Sequence, residues 1–340
     1  MKAVILVGGE GMRLRPLTYN VPKPMLPVLN RPFLEHTLAY LRPHIDAAVL
    51  AVGYMPEAVQ SYFGVGEWTG IRLDYSVEEQ PLGTAGAVKK AQDLLHDTFL
   101  VLNGDIFTDL DLDKMLAFHR RNEAAATIAL MWVDDPSAFG VVNTGPTGRV
   151  DRFTEKPRAR EARSHWINAG IYILEPEVLH HVPPDTHYMF EKGLFPQLLE
   201  LGEPVYGYRY RGYWLDMGTP AKYLQLNCDL LQGRAQSLVL GEMWSDTIDF
   251  GEGVEKDPSA DVEGPAVVAE GCKLGPDSRI TGPVVLGPGC DIAAGATVED
   301  SVLWDGVSVA RGAYVKRSVL GTGCKVREGE HLIDAVITQG

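Results

Sequence analysis

The sequence predicts an α/β domain built on a mostly parallel sheet, followed by a parallel β-helix. Three observations predict it. Strand-like and helix-like segments alternate through the first ~235 residues; Gly and Pro become dense after residue ~258, where helical periodicity vanishes; and from Val262 an aliphatic residue recurs at every sixth position.

Lys2 to Val7 is a β-branched apolar run, hence a buried strand. Arg31 to Leu41 carries Leu34, Leu38 and Leu41 at helical spacing. Ala47 to Val52 reads as a strand and Met55 to Phe63 as a short helix opened by Pro56. Thr84 to Leu95 reads as a helix, Thr98 to Leu102 as a strand and Asp111 to Arg121 as a helix. This alternation implies a Rossmann-like sheet with helices on both faces. Ligands of such sheets bind beyond the C-terminal strand ends. Gly8-Gly9 and Asn103-Gly104-Asp105 fall there. The expected organisation is a first domain over residues 1–235, a connector over 236–258 and the β-helix over 259–340. In the connector, Trp244 and Phe250 imply a segment packed down, passing through Met243, Asp249 and Gly251.

The repeat runs Val262, Val268, Leu274, Ile280, Leu286, Ile292, Val298. Four positions after each come Ala266, Cys272, Ser278, Val284, Cys290, Ala296 and Val302, all of small or modest volume. The register slips near Trp304, resumes at Val309 and Val315, and resumes again at Leu320, Val326 and Leu332. Such coils cannot bury their apolar edges alone and must stack. Three hexapeptides make a triangular coil of about 18 residues, so Cys272 and Cys290 should lie one above the other, as inward-facing small hydrophobes rather than a disulfide.

A formal net charge of −14 argues against nucleic acid or an anionic membrane as partner, since both select basic surfaces. The opening apolar run is about a strand long, far short of the ~20 residues of a membrane span, and no small-residue cleavage site follows it. Cys228, Cys272, Cys290 and Cys324 form no Cys-x-x-Cys pair. A zinc site is therefore not expected, and free thiols fit a reducing, cytoplasmic setting. His180, His181 and His187 read as solvated surface, with no matching carboxylate pattern.

The chemistry concentrates in Gly8-Gly9-Glu10-Gly11-Met12-Arg13-Leu14-Arg15-Pro16-Leu17-Thr18 and Pro22-Lys23-Pro24-Met25-Leu26-Pro27. A Gly-rich turn after a strand exposes backbone N–H groups to a phosphate, and Arg13 and Lys23 add fixed positive charge. The spacing is neither a dinucleotide fingerprint nor a Walker A loop. On these residues alone a phosphate loop competes with a plain tight turn carrying surface cations. Asn103-Gly104-Asp105 alone reads as a turn, and Glu155-Lys156-Pro157 as a surface turn.

The pattern Gly-Gly-x-Gly-x-Arg-Leu-x-Pro-Leu-Thr followed by Pro-Lys-Pro resembles the signature of the sugar nucleotidyltransferase family. The resemblance continues through Pro81-Leu82-Gly83-Thr84-Ala85-Gly86, Asn103-Gly104-Asp105, Phe139-Gly140-Val141-Val142, Glu155-Lys156-Pro157, Asn168-Ala169-Gly170-Ile171-Tyr172 and Trp214-Leu215-Asp216-Met217-Gly218-Thr219-Pro220. It implies transfer of a nucleotide from a nucleoside triphosphate to a sugar-1-phosphate with release of pyrophosphate, and a left-handed β-helix at the C-terminal end. Within the family, Val7-Gly8-Gly9, Arg15 and Leu82-Gly83-Thr84-Ala85-Gly86 are most similar to the enzymes that use GTP and mannose-1-phosphate. Long thymidylyltransferases acting on glucose-1-phosphate share much of the same pattern.

The resemblance gives Arg13, Lys23, Asp105, Lys156 and Asp216 catalytic roles, with Asp105 and Asp216 as ligands of Mg²⁺. It gives nucleotide contacts to Gly8, Gly9, Gly11, Met12, Gln80, Gly83 and Thr84, and sugar-phosphate contacts to Gly140, Glu155, Lys156 and Asn168. Met12 departs from the family, which usually has Thr or Ser there; a hydroxyl near the phosphates is lost while the backbone N–H stays. Two rivals remain. An acyltransferase would use a His between coils, and none occurs from Val262 to Glu330. A regulatory subunit without catalysis would not need Arg13, Lys23, Asp105, Lys156 and Asp216 together. The β-helix, with bare sheet edges, is expected to mediate a homo-oligomer.

Overall fold

The computed structural model describes residues 1–156, 164–235 and 247–339. Pro157 of the Glu155-Lys156-Pro157 motif, and Met243 and Trp244 of the expected connector, lie outside the described residues. The chain forms two compact units: Met1–Glu10 with Leu41–Trp214, and Gly11–Tyr40 with Leu215–Gly340.

In the first unit, nine strands make one mixed sheet. They are β1 (Lys2–Val7), β2 (Ala47–Val52), β3 (Arg72–Val77), β4 (Phe99–Asn103), β5 (Ala126–Trp132), β6 (Gly140–Thr144), β7 (Val150–Glu155), β8 (Trp166–Leu174) and β9 (Val205–Tyr210). The order β7-β6-β8-β4-β1-β2-β3 forms the main path, and β5 pairs with both β8 and β9. The four strands β3, β2, β1 and β4 are parallel. Ala47–Val52 is buried at every position, as expected of a strand covered on both faces. Beyond β4, β8 runs antiparallel to its neighbours, Ile171 opposite Leu102 and Tyr172 opposite Val101, while the outer pair β5 and β9 is again parallel. The helices lie near their expected places, α2 over Pro56–Phe63 among them, and α5 (Phe195–Glu200) adds one. Asp111 accepts a hydrogen bond from the Lys114 amide and starts α4 at Leu112–Arg121. The helix expected over Thr84 to Leu95 is instead α3 (Gly83–Lys90) followed by a separate short turn, Gln92–Leu94. His180 and His181 end the short helical segment Pro176–His181. Among the described residues, no helix is long and apolar enough to cross a membrane.

The second unit is dominated by three parallel sheets, the faces of a β-helix. Leu274, Ile280, Leu286, Ile292 and Val298 are at most 2% exposed and share one interior stack with Ala266, Cys272, Cys290 and Ala296. Lys273 pairs with Asp291, which sets Cys272 and Cys290 in equivalent places of successive coils, and both are free thiols. Their Sγ atoms donate to Gly287 O and Trp304 O, each at 3.2 Å, and the neighbouring Cys272 thiol, together with burial, pushes the Cys290 thiol well up. The early coils keep an 18-residue repeat, Ile280 opposite Val298. Later ones are one residue shorter: Leu286 pairs with Leu303, where the longer repeat would bring Trp304. The interior therefore receives a leucine, and the indole, too bulky for that column, lies outside the stack.

The ladder begins earlier than the connector reading expects. Ile248–Phe250 already pairs in parallel with Ala266–Val268. Phe250 is held by its place in the ladder opposite Val268, with its side chain 43% exposed. The unit also includes α1 (Phe33–Leu41) as far as Tyr40, and α6 (Pro220–Leu231), capped by Thr219. The units thus divide the chain elsewhere than at residues 235 and 259, because hydrogen bonds tie residues 27–30 to α6 and to the coils.

The interior stack carries the stability of the β-helix. Ile292→Ala, at a position with no exposure, is expected to lower stability in chemical denaturation by about 2–5 kcal/mol. Ile333→Ala, at a position 50% exposed, is expected to change it by no more than about 0.5 kcal/mol. Equal losses would show that the periodic column is not the core.

Candidate active site

In the first unit, β1 ends at Val7 and β4 at Asn103, side by side in register. The Gly104 amide donates to Leu6 O at 2.9 Å, locking the turn that carries Asp105 against the end of β1. A Cβ on Gly104 would lie 2.4 Å from a Val7 methyl and 2.6 Å from Leu6 O, so only glycine lets the turn close. Asp105 is half-buried at this strand end. Beside it, among the described residues, Asn103 Oδ1 is buried with no hydrogen-bond partner. A native structure rarely strands such an acceptor without a ligand, water or ion for it.

Gly8 follows β1 directly, and Gly9 is exposed. The Glu78 carboxylate lies beside Gly8, where an added Cβ would be 3.1 Å from Oε1. Glu78 also accepts from the Leu82 amide at 2.9 Å, ordering the approach to Gly83 and Thr84 at the start of α3. Burial raises the Glu78 carboxyl above its ordinary range. Gln80 is exposed on the same loop.

Gly140 on β6 faces Glu155 on β7 as a register partner, so two expected sugar-phosphate positions are brought together. Lys156 has a left-handed backbone (φ 45°), and its amide donates to Phe139 O at 3.1 Å. Its ammonium lies 3.9 Å from Glu155 Oε1 and its side chain is 68% exposed, so the pair is weak and the amine is available to an anion.

Asn168 is joined to Thr84 through two residues that sequence reasoning did not assign. Asn168 Nδ2 donates to Tyr172 Oη at 2.8 Å, and Tyr172 Oη donates to Glu191 Oε1 at 3.4 Å. Thr84 Oγ1 donates to Glu191 Oε2 at 3.2 Å and accepts from the Phe190 amide at 2.9 Å. Tyr172 belongs to a motif read for other reasons. Glu191 gives only a faint signal, an acid set in the apolar run Met189, Phe190, Leu194, Phe195.

In the second unit, Gly11 takes a left-handed conformation (φ 64°) and starts the short helical turn Met12–Leu14. Thr18 Oγ1 and the Leu14 amide both donate to Gly11 O, at 2.9 and 2.8 Å. This fixes the turn with Met12 and Arg13 outward, 65% and 70% exposed. Gly11 also packs on Thr18 and Lys23; an added Cβ would lie 3.4 Å from Lys23 Cβ. Arg13 Nη2 lies 4.0 Å from Asp216 Oδ2, whose side chain is 17% exposed. Arg13, Lys23 and Asp216 therefore share one unit, while Gly8, Gly9, Asp105, Glu155, Lys156 and Asn168 share the other. Among the described residues, no group of three or more His, Cys, Asp and Glu could hold a metal by themselves.

Residues 2–233 match the family described as nucleotidyl transferase, and residues 262–339 match the GMPPB C-terminal domain. The chain belongs to the nucleotidyl transferase family. It is 42% identical over 241 residues to a mannose-1-phosphate guanylyltransferase from Mycobacterium tuberculosis, covering 70% of this chain and 67% of the relative. It is 40% identical over 240 residues to a UTP–glucose-1-phosphate uridylyltransferase from Synechocystis, covering 66% of this chain and 62% of the relative. A mannose-1-phosphate guanylyltransferase catalytic subunit beta from Danio rerio is 41% identical over 244 residues, with 69% and 66% covered. Among solved structures, HddC from Yersinia pseudotuberculosis complexed with GMP-PN superposes with a TM-score of 0.58 at 27% identity, over 66% of this chain and 97% of that one. The nucleotidyl transferase match spans every motif described above from Gly8 to Asp216.

Glu191 gives this site a pH signature. Burial holds its carboxyl above its ordinary 4.5, with the Glu155 charge acting in the same direction and hydrogen bonds from Thr84 and Tyr172 acting against it. A raised folded value means that the protonated form is favoured by folding. That stability is fully present below about pH 4.5 and is lost as pH rises through the raised value. Glu191→Gln stays neutral throughout. Denaturation across pH 4 to 8 should therefore show wild type losing stability relative to the variant as pH rises. Parallel profiles would remove Glu191 from the titrating network.

Proposed function

We propose that the chain joins mannose-1-phosphate to GTP, forming GDP-mannose and pyrophosphate. The observation that carries this reading is the fixed turn Gly11–Thr18 with Arg13 outward beside Asp216, in a chain of net charge −14. Such a turn offers backbone amides and a guanidinium to a polyphosphate. Guanosine and mannose are supported by the relatives from Mycobacterium tuberculosis and Danio rerio.

The reaction is attack by a sugar-1-phosphate oxygen on the α-phosphorus, in line with the departing pyrophosphate. The nucleophile is already an anion at neutral pH, so no protein base is needed. Arg13 and Lys23 hold the triphosphate, and Lys156 meets the sugar phosphate. Glu155, Asn168 and the Gly140 backbone orient the sugar, while Gln80, Gly83 and Thr84 hold the nucleoside. Catalysis is positioning together with charge neutralisation by groups already in place.

Asp105 and Asp216 are the residues that would hold Mg²⁺. The donor chemistry fits within each unit: a hard carboxylate suits an ion that takes its other ligands from phosphates and water, and Asn103 Oδ1, buried without a hydrogen-bond partner, leaves an oxygen beside Asp105 for such a ligand. When bound, the ion neutralises charge on the reacting phosphates.

A pyrophosphate-release assay crossing four nucleoside triphosphates with mannose- and glucose-1-phosphate should give the highest kcat/KM for GTP with mannose-1-phosphate. A preference for UTP and glucose-1-phosphate would move the chain to the activity of its Synechocystis relative. Binding of GDP-mannose without turnover in any pairing would make it a regulatory subunit. Asp105→Asn should lower turnover at least ~100-fold, the scale of losing one charge-stabilising group; near-normal turnover would take Asp105 out of the reaction.

A further inference from the structure

We infer that Trp304 of the β-helix is a positioning residue for the Lys23 segment, acting through Tyr223. The Trp304 indole N–H donates to Tyr223 Oη at 2.9 Å, and Tyr223 Oη donates in turn to Pro27 O. Trp304 is 5% exposed and Tyr223 is wholly buried. The two rings meet edge to face, 6.3 Å between centroids. The hydroxyl thus accepts once and donates once, so each buried group has its partner. Two further bonds clamp the same turn. Asn227, wholly buried on α6, accepts from the Leu29 amide at 2.9 Å, and Asn30 Nδ2 donates to Leu286 O of the β-helix at 3.0 Å.

Pro27 lies two residues beyond the short helical turn Lys23–Met25, whose Lys23 O accepts from the amide of the intervening Leu26 at 3.2 Å. Lys23 packs in turn against Gly11. A tether at Pro27 therefore fixes the backbone from which Lys23 projects. The loss of one residue from the coil explains why the tether exists. With Leu303 opposite Leu286, Trp304 is released from the interior column. Its indole N–H then reaches the tyrosine. A break in the repeat that looks like decay is the feature that couples the β-helix to the loop.

The kinetic half of the test rests on the nucleotidyl transfer proposed above; the hydrogen-exchange half does not. Trp304→Phe keeps an aromatic ring and deletes the donor. In the full chain, amides of residues 23–30 should exchange about five- to tenfold faster, the scale of one buried hydrogen bond, while amides of the interior coils, such as Ile292 and Val298, are unchanged. With GTP and mannose-1-phosphate, kcat/KM should fall by a similar factor. Adding Trp304→Phe to Tyr223→Phe should cause no further fall, since the relay is already cut. Unchanged exchange at 23–30, acceleration spread evenly over the coils, or full additivity of the two substitutions would each overturn the inference. Faster exchange at 23–30 in a protein with no turnover would keep the relay and sink the activity instead.

Discussion

A triphosphate and a sugar phosphate must be held close together by a chain whose own formal charge is −14. Nothing in the overall field attracts such ligands, so attraction has to be local and fixed in advance. The three residues proposed above to meet these ligands, each taken within its own unit, are built to that constraint. Arg13 is presented by a turn that Thr18 and Leu14 bind from below through a single carbonyl, Gly11 O. Asp105 is carried by a turn that closes only because residue 104 has no side chain. Lys156 stands on a left-handed residue whose amide is tied to Phe139 O. In each case a charged side chain on a flexible stem is rooted in a backbone that cannot drift. The orientation cost is thereby met during folding rather than during binding.

Most of this was legible in the sequence because it lives in backbone chemistry. Glycines at strand ends, an aliphatic residue every sixth position and an acid after four apolar residues are local signals, and the structure places β1, β2, β4 and the interior column where those signals put them. The antiparallel turn of the sheet beyond β4 was not legible, since β8 is apolar enough to suit either direction. Glu191 was missed for a related reason. Its significance lies in what surrounds it, Thr84 and Tyr172, which are distant in sequence and adjacent only after folding. The expected boundary near residue 235 is drawn on composition; the compact units follow contacts such as the Asn30–Leu286 hydrogen bond, which is a different division of the same chain.

The Asn168–Tyr172–Glu191–Thr84 chain links two positions to which the proposed function gives different substrates. Asn168, a proposed sugar contact, bonds the Tyr172 hydroxyl, Thr84, a proposed nucleotide contact, bonds the Glu191 carboxylate, and the hydroxyl and carboxylate bond each other. A buried network in which each member depends on its neighbour behaves as a unit. A change in the Glu191 proton would alter what Thr84 and Tyr172 can donate to, and through Tyr172 the bond available to Asn168. Placing an acid there costs folding energy, because burial raises its carboxyl. That cost is intelligible if the group orders both ends of the site at once.

The coil shortening at Trp304 follows the same logic from the other side. A tryptophan inside the column would overpack a stack that includes Cys272, Cys290 and Ala296. Evening out the repeat to restore 18 residues would therefore not improve the β-helix; it would push the indole inward and leave Tyr223 without its donor. The irregular coil satisfies two demands that a regular one sets against each other, a narrow interior and a polar hook on the outside. For this reason the β-helix belongs to the catalytic argument as much as to the architecture. The residue that spoils its period is the one that reaches α6, and through α6 the carbonyl of Pro27.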